Sequence, residues 1–119
     1  MVAWTGRGAA REGYVIEDSP VGRTLVVTGD WSERAVGVLA FGQADGLVLN
    51  YARGYRERTL DFLRPWPVRR LQVLARTITN IEPVYRMAES LEDLSLTTAP
   101  TAAIDCARLP HLHGIWAQS

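Results

Sequence analysis

The amino-acid sequence predicts an α+β fold in a single domain, with short β-strands in the first half and an irregular β/α solenoid of about three coils in the second. Three observations predict it. Between Tyr14 and Tyr51, short β-branched and aromatic runs alternate with glycines. Pro65 and Pro67 then interrupt the chain. From Leu71 onward, apolar pairs recur with a period near twenty residues, the spacing that lets each coil return a strand beside the previous one.

A chain of 119 residues, 47% apolar and 22% charged, has ordinary globular composition and the length of one domain. Residues 1–12, Gly-rich and charged, are expected as a loose N-terminal arm. Residues 13–52 form the β-rich part. Its strands are expected at Tyr14–Ile16, Thr24–Thr28, Val36–Phe41 and Leu47–Tyr51, the last entered through Asp45-Gly46. Tyr55–Leu63 reads as a helix, with Leu60 and Leu63 three apart and Arg56, Glu57 and Arg58 on its polar side. Residues 65–119 carry the coils.

The repeat is made of Leu71-Gln72-Val73-Leu74, Leu91-Glu92-Asp93-Leu94 and Leu112-His113-Gly114-Ile115, with first leucines twenty and twenty-one residues apart. Ile78, Ile81, Val84 and Met87, and then Ile104 and Leu109, supply a second apolar set between units. Leu91-Glu92-Asp93-Leu94-Ser95-Leu96 resembles the L-x-x-L-x-L strand of the leucine-rich repeat family, and Leu109-Pro110-His111-Leu112-His113-Gly114-Ile115 resembles its closing segment. The resemblance covers roughly residues 46–119, with Asp45–Leu49 as a degenerate earlier unit. Arg76 and Ala117 depart from the pattern, and Asn80 is displaced from the family's asparagine position. Equivalent rungs would place Leu71, Leu74, Leu91, Leu94, Leu96, Leu112 and Ile115 inside. Val73, Ala75, Asp93, Ser95, Gly114, Trp116 and Gln118 would then share the outer face. The family resemblance implies protein binding through that face. The expected contacts are Val73, Ala75, Asp93, Ser95 and Trp116, with Arg56, Arg69 and Arg70 as peripheral electrostatic contacts.

Charge is unevenly laid out. All thirteen basic residues are arginine, and the net charge is zero. The segment from Arg53 to Arg76 holds seven arginines against Glu57 and Asp61, with acid-rich stretches on both sides. Arginines interleaved with Tyr51, Tyr55 and Trp66 could hold phosphates and stack bases. The balanced total charge argues instead for internal pairing or for an acidic protein surface, so nucleic acid is not the expected partner.

Catalysis and cofactors are not expected. Cys106, His111 and His113 form C-x4-H-x-H, which lacks the fourth ligand and the C-x2-C spacing of structural zinc sites. The same residues with Asp105 make a poor nucleophile constellation, and Thr5-Gly6-Arg7-Gly8 is no phosphate loop. Residues 1–11 contain no apolar run like that of a secretory signal, and no stretch reaches the 18 apolar residues of a membrane span. A bacterial, cytoplasmic, non-catalytic binding module is the expectation. Two alternatives stand beside it: a self-assembling homo-oligomer with an open terminal strand, and a small enzyme or metal protein using Cys106, His111 and His113.

Overall fold

Alternation of apolar and polar residues along five short runs organises the sheet, as seen in a computed structural model that describes residues 13–20, 22–99 and 104–118. The strands are β1 (Tyr14–Ser19), β2 (Gly22–Val27), β3 (Gly46–Asn50), β4 (Arg70–Leu74), β5 (Asp93–Thr97) and β6 (Gly114–Gln118). They form one mixed six-stranded sheet in the order β1-β2-β3-β4-β5-β6. The hairpin β1–β2 is antiparallel; every later neighbour is parallel to the one before. One α-helix, α1 (Glu33–Ala40), and three short 3-10 helices, Tyr51–Arg53, Glu82–Met87 and Cys106–Arg108, complete the described elements. The fold is therefore α+β. The expected N-terminal arm, residues 1–12, lies outside the described residues.

Register follows from the period of two. Leu25, Leu47, Leu71, Leu94 and Ile115 are successive partners across the sheet, and Val27, Leu49, Val73 and Leu96 make a second row two residues on. Apart from Ile115, which is 44% exposed, all of these side chains are buried. They pack with Ala35 and Leu39 of α1, with Leu60, Leu63 and Trp66, and with Val84, Met87 and Leu91 in one continuous core. A slip of one residue in any strand would turn its apolar pair outward.

The rungs differ from the sequence expectation. Leu71, Leu91 and Leu112 are not equivalent: Leu71 pairs with Leu94, which pairs with Ile115. Leu91 and Leu112 stand three residues ahead of their rung, where the previous unit carries Val68 and the one before carries Ala44. Ala44, Val68 and Leu91 are buried, and Leu112 is half-buried. The expected outward residues Val73 and Ala75 lie in the core, at 0% and 3% exposure. The first unit was read three residues late because Leu71 matches a leucine template better than Val68 does.

Two element assignments are corrected as well. Val36–Phe41, expected as a strand, is the later part of α1 and its C-cap, Phe41. Its N-cap is Ser32, whose hydroxyl accepts the Arg34 amide at 3.2 Å, and Ala35 and Leu39, four apart, face the core. Tyr55–Leu63, expected as a helix, is a loop. Side chains hold it in place of a helical ladder. The Glu57 carboxylate accepts the Trp31 amide, Arg86 donates to the carbonyls of Asp61 and Leu63, and Ser90 donates to those of Trp66 and Val68. Trp31 stacks on Phe62 at 4.3 Å and on Trp66 at 5.5 Å between ring centroids, which fixes the loop against the start of α1.

The register makes a direct stability prediction. Leu96→Ala should cost about 2–5 kcal/mol and Val73→Ala about 2 kcal/mol. Gln72→Ala and Ser95→Ala, on the opposite side of the same strands, should stay within about 0.5 kcal/mol. Urea unfolding followed by circular dichroism measures all four.

Candidate binding site

The side of the sheet away from the core carries a shallow open depression of about 430 Å³. It crosses β2 to β6. Its floor is backbone, and its lining side chains include Thr24, Val48, Arg70, Gln72, Asp93 and Ser95. Thr24, Gly46, Arg70, Asp93 and Gly114 form one row of Cα partners, and Val26, Val48, Gln72, Ser95 and Trp116 the next row on that side, of which Val26 is fully buried. Adjacent strands step by about 4.8 Å, so one row offers a side chain at each such step.

Two glycines shape this floor. A Cβ at Gly46 would come within 2.7 Å of the Thr24 hydroxyl and 2.9 Å of the Arg70 Nη2, and one at Gly114 within 2.6 Å of the Asp93 Oδ1. Arg70 and Asp93 therefore lean in opposite directions, each over the glycine beside it. Arg70 reaches Asp45 at 2.7 Å and the Thr24 hydroxyl at 3.2 Å. The Asp93 carboxylate has no ion pair or hydrogen bond among the described residues.

The edge at which the parallel strands begin is held by a repeated backbone device. The amides of Arg69 and Arg70 both donate to the Asp45 carbonyl, those of Glu92 and Asp93 to the Arg69 carbonyl, and those of His113 and Gly114 to the Glu92 carbonyl. Charges of alternating sign run along the same edge. Asp18 pairs with Arg23, Asp45 with Arg70, and Glu92 accepts two hydrogen bonds from Arg69 at 3.1 Å. Partial burial pushes the Asp45 carboxyl up, but the hydrogen bond and charge of Arg70 outweigh it and leave the carboxyl below its ordinary 3.8. For Glu92 the Arg69 hydrogen bond is the main cause of a value below the ordinary 4.5, and His113 and His111 add to it.

The residues singled out from sequence fall into three places. Asp93 and Ser95 line the outward depression with Arg70, and Arg69 lies just beyond its entry edge. The Trp116 backbone pairs beside Ser95 in the outward row. Val73 and Ala75 are interior, and Arg56 is at the far end of the sheet, lining a different cleft. Thr24, Gly46, Val48 and Gln72 line the depression without having been singled out. The residue after Leu71 and the residue after Leu47 would have found Gln72 and Val48, had the rows been aligned on Leu47, Leu71 and Leu94. Cys106 is exposed on its 3-10 helix, and His111 and His113 are exposed ahead of β6. Among the described residues no group of three or more His, Cys, Asp or Glu side chains could hold a metal ion. No helix among them is long and apolar enough to cross a membrane.

Both carboxylates have folded-state values below their unfolded ones, so the stability they contribute is complete above about pH 4.5 and is lost as pH falls through the lowered values. Urea unfolding from pH 7 to pH 2.5 should show that loss. Arg70→Gln should lower stability by about 1 kcal/mol at neutral pH and flatten the acid limb. An unchanged acid limb would remove the Arg70–Asp45 assignment. Comparison with protein-family models, with curated proteins and with solved structures returned no match for this chain.

Proposed function

We propose that this chain is a non-catalytic protein-binding module, a short irregular stack of leucine-rich-repeat-like coils that engages a partner through the outward face of its parallel sheet. The observation that carries the reading is the depression across β2 to β6, a concave surface with polar side chains at single-strand steps and an Asp93 carboxylate unpaired among the described residues. The coil reading is supported by sequential parallel order and by the same two-amides-to-one-carbonyl entry at β4, β5 and β6. Gln72, Asp93, Ser95 and Trp116 form the centre, and Arg69 and Arg70 the border. Arg56 lies outside this face.

Affinity capture from the native host tests the reading. The full chain and Glu33→Arg, a control on α1, should recover a protein that Asp93→Arg and Ser95→Trp recover at about tenfold lower yield, the loss expected of a central contact. Equal recovery by all four, or loss with the control alone, overturns the assignment.

A second reading has its own observation. β6 has one neighbour among the described strands, and Ile115 on it is 44% exposed, so this edge is suited to self-assembly through a second copy. Light scattering at high concentration should then report a mass above 13.2 kDa, shifted back toward that value by Ile115→Lys. A 13.2 kDa species throughout refutes self-assembly.

A further inference from the structure

Seven arginines lie between Arg53 and Arg76. Four are engaged: Arg53 by Glu17, Arg64 by the carbonyls of Asp61 and Leu63, Arg69 by Glu92 and Arg70 by Asp45. The other three, Arg56, Arg58 and Arg76, have guanidinium groups with no ion pair or hydrogen bond among the described residues. All three line one cleft of about 400 Å³. It lies where β3 and β4 end, opposite the charged entry edge, between the Tyr51–Arg53 turn with its following loop and the turn at 75–77.

The cleft's other walls suit an aromatic group. Tyr51 is 57% exposed and offers a ring, while Tyr55 is buried and donates its hydroxyl to the Thr59 carbonyl at 3.2 Å. Burial, then the nearby charge of Glu57, keeps the Tyr55 phenol protonated, so it brings no competing negative charge. Glu57 is the one acid in the lining among the described residues, and its carboxylate already accepts the Trp31 amide at 2.8 Å. Three unpaired arginines bordering one small space leave a local excess of positive charge for an anion to neutralise, and a guanidinium fork matches phosphate oxygens two at a time. The volume is that of a small-molecule site.

We propose that this cleft binds a phosphate monoester carried on an aromatic group, with Arg56, Arg58 and Arg76 holding the phosphate and Tyr51 packing on the ring. The site is separate from the outward sheet face and stands or falls independently of it.

Calorimetric titration of the full chain with phenyl phosphate, inorganic phosphate and phenol tests it. Phenyl phosphate should bind more tightly than either fragment and lose affinity as salt rises. Arg56→Gln, Arg58→Gln and Arg76→Gln should each weaken it on the order of tenfold. Tyr51→Ala should reduce the preference for phenyl phosphate over inorganic phosphate, and Asp93→Arg should change nothing. O-phosphotyrosine, with its phosphate on the ring, and adenosine 5′-monophosphate, with a ribose between phosphate and ring, distinguish the source of the aromatic group; tighter binding of O-phosphotyrosine supports the site as proposed, and tighter binding of the nucleotide overturns direct attachment of phosphate to ring. No heat with phenyl phosphate at millimolar concentration, phenol binding as tightly, or indifference to all three arginine substitutions overturns it. The substituted side chains are exposed, and circular dichroism checks that each variant folds.

Discussion

Each of β3, β4 and β5 must turn two apolar side chains, two residues apart, to the same side, and the first amides of β4, β5 and β6 must reach a carbonyl just ahead of the preceding strand. The rest of the architecture depends on this double condition. Burying each leucine of a rung contributes about 1.5–3 kcal/mol, and a shift of one residue would forfeit both members at once. The shared carbonyls of Asp45, Arg69 and Glu92 fix where each strand starts. Together they determine which residues are left facing outward, so the composition of the outward face is a by-product of core register. Gln72 and Ser95 are neighbours because Leu71 pairs with Leu94 and Val73 with Leu96.

The parts of this plan that were legible in sequence are those where one signal acted alone. Leu94, Ser95 and Leu96 alternate cleanly, and Asp93 and Ser95 were placed on the outward side on that basis; both line the depression. Where two signals competed, the local one misled. Val36-Gly37-Val38 has strand composition, but the Ser32 cap and the Ala35–Leu39 spacing belong to a helix, and core contact at Ala35 and Leu39 decided the outcome. Leu60 and Leu63 have helical spacing, yet Gly54 in the left-handed region before them and two prolines after them leave a short loop to be held from outside by Arg86 and Ser90. Those donors are more than twenty residues away in the chain, and no local pattern reveals them. The rung error had a different origin. A valine at Val68 does the work of a leucine, and a search keyed to leucine starts the unit three residues late.

The arginine-rich stretch shows how a charge run acquires meaning only from the fold. In sequence, Arg53 to Arg76 is one basic block. The sheet divides it, because β4 runs from the entry edge at Arg70 to the exit edge beside Arg76, and the preceding loop brings Arg56 and Arg58 to that same exit. At the entry edge the guanidinium groups of Arg69 and Arg70 meet Glu92 and Asp45, so their charge is absorbed in holding adjacent strands together. At the exit edge Arg56, Arg58 and Arg76 meet no carboxylate partner among the described residues. A chain with zero net charge can therefore present a neutralised edge at one end of its strands and a locally cationic cleft at the other.

That division also constrains the sheet face between the two ends. With Arg70 drawn toward Asp45 and Thr24, the cation nearest the depression is already partnered, and among the described residues the Asp93 carboxylate on this face has no ion pair. A partner approaching there meets one acceptor flanked by the flat backbone of Gly114 and by the amide and hydroxyl of Gln72 and Ser95. Polar groups in such a setting discriminate mainly through the cost of leaving them unpaired once water is excluded. On the proposed binding reading, the face would select a surface that brings a donor to Asp93 and fits close to the glycine floor, and Coulomb attraction over long range would contribute little to the choice.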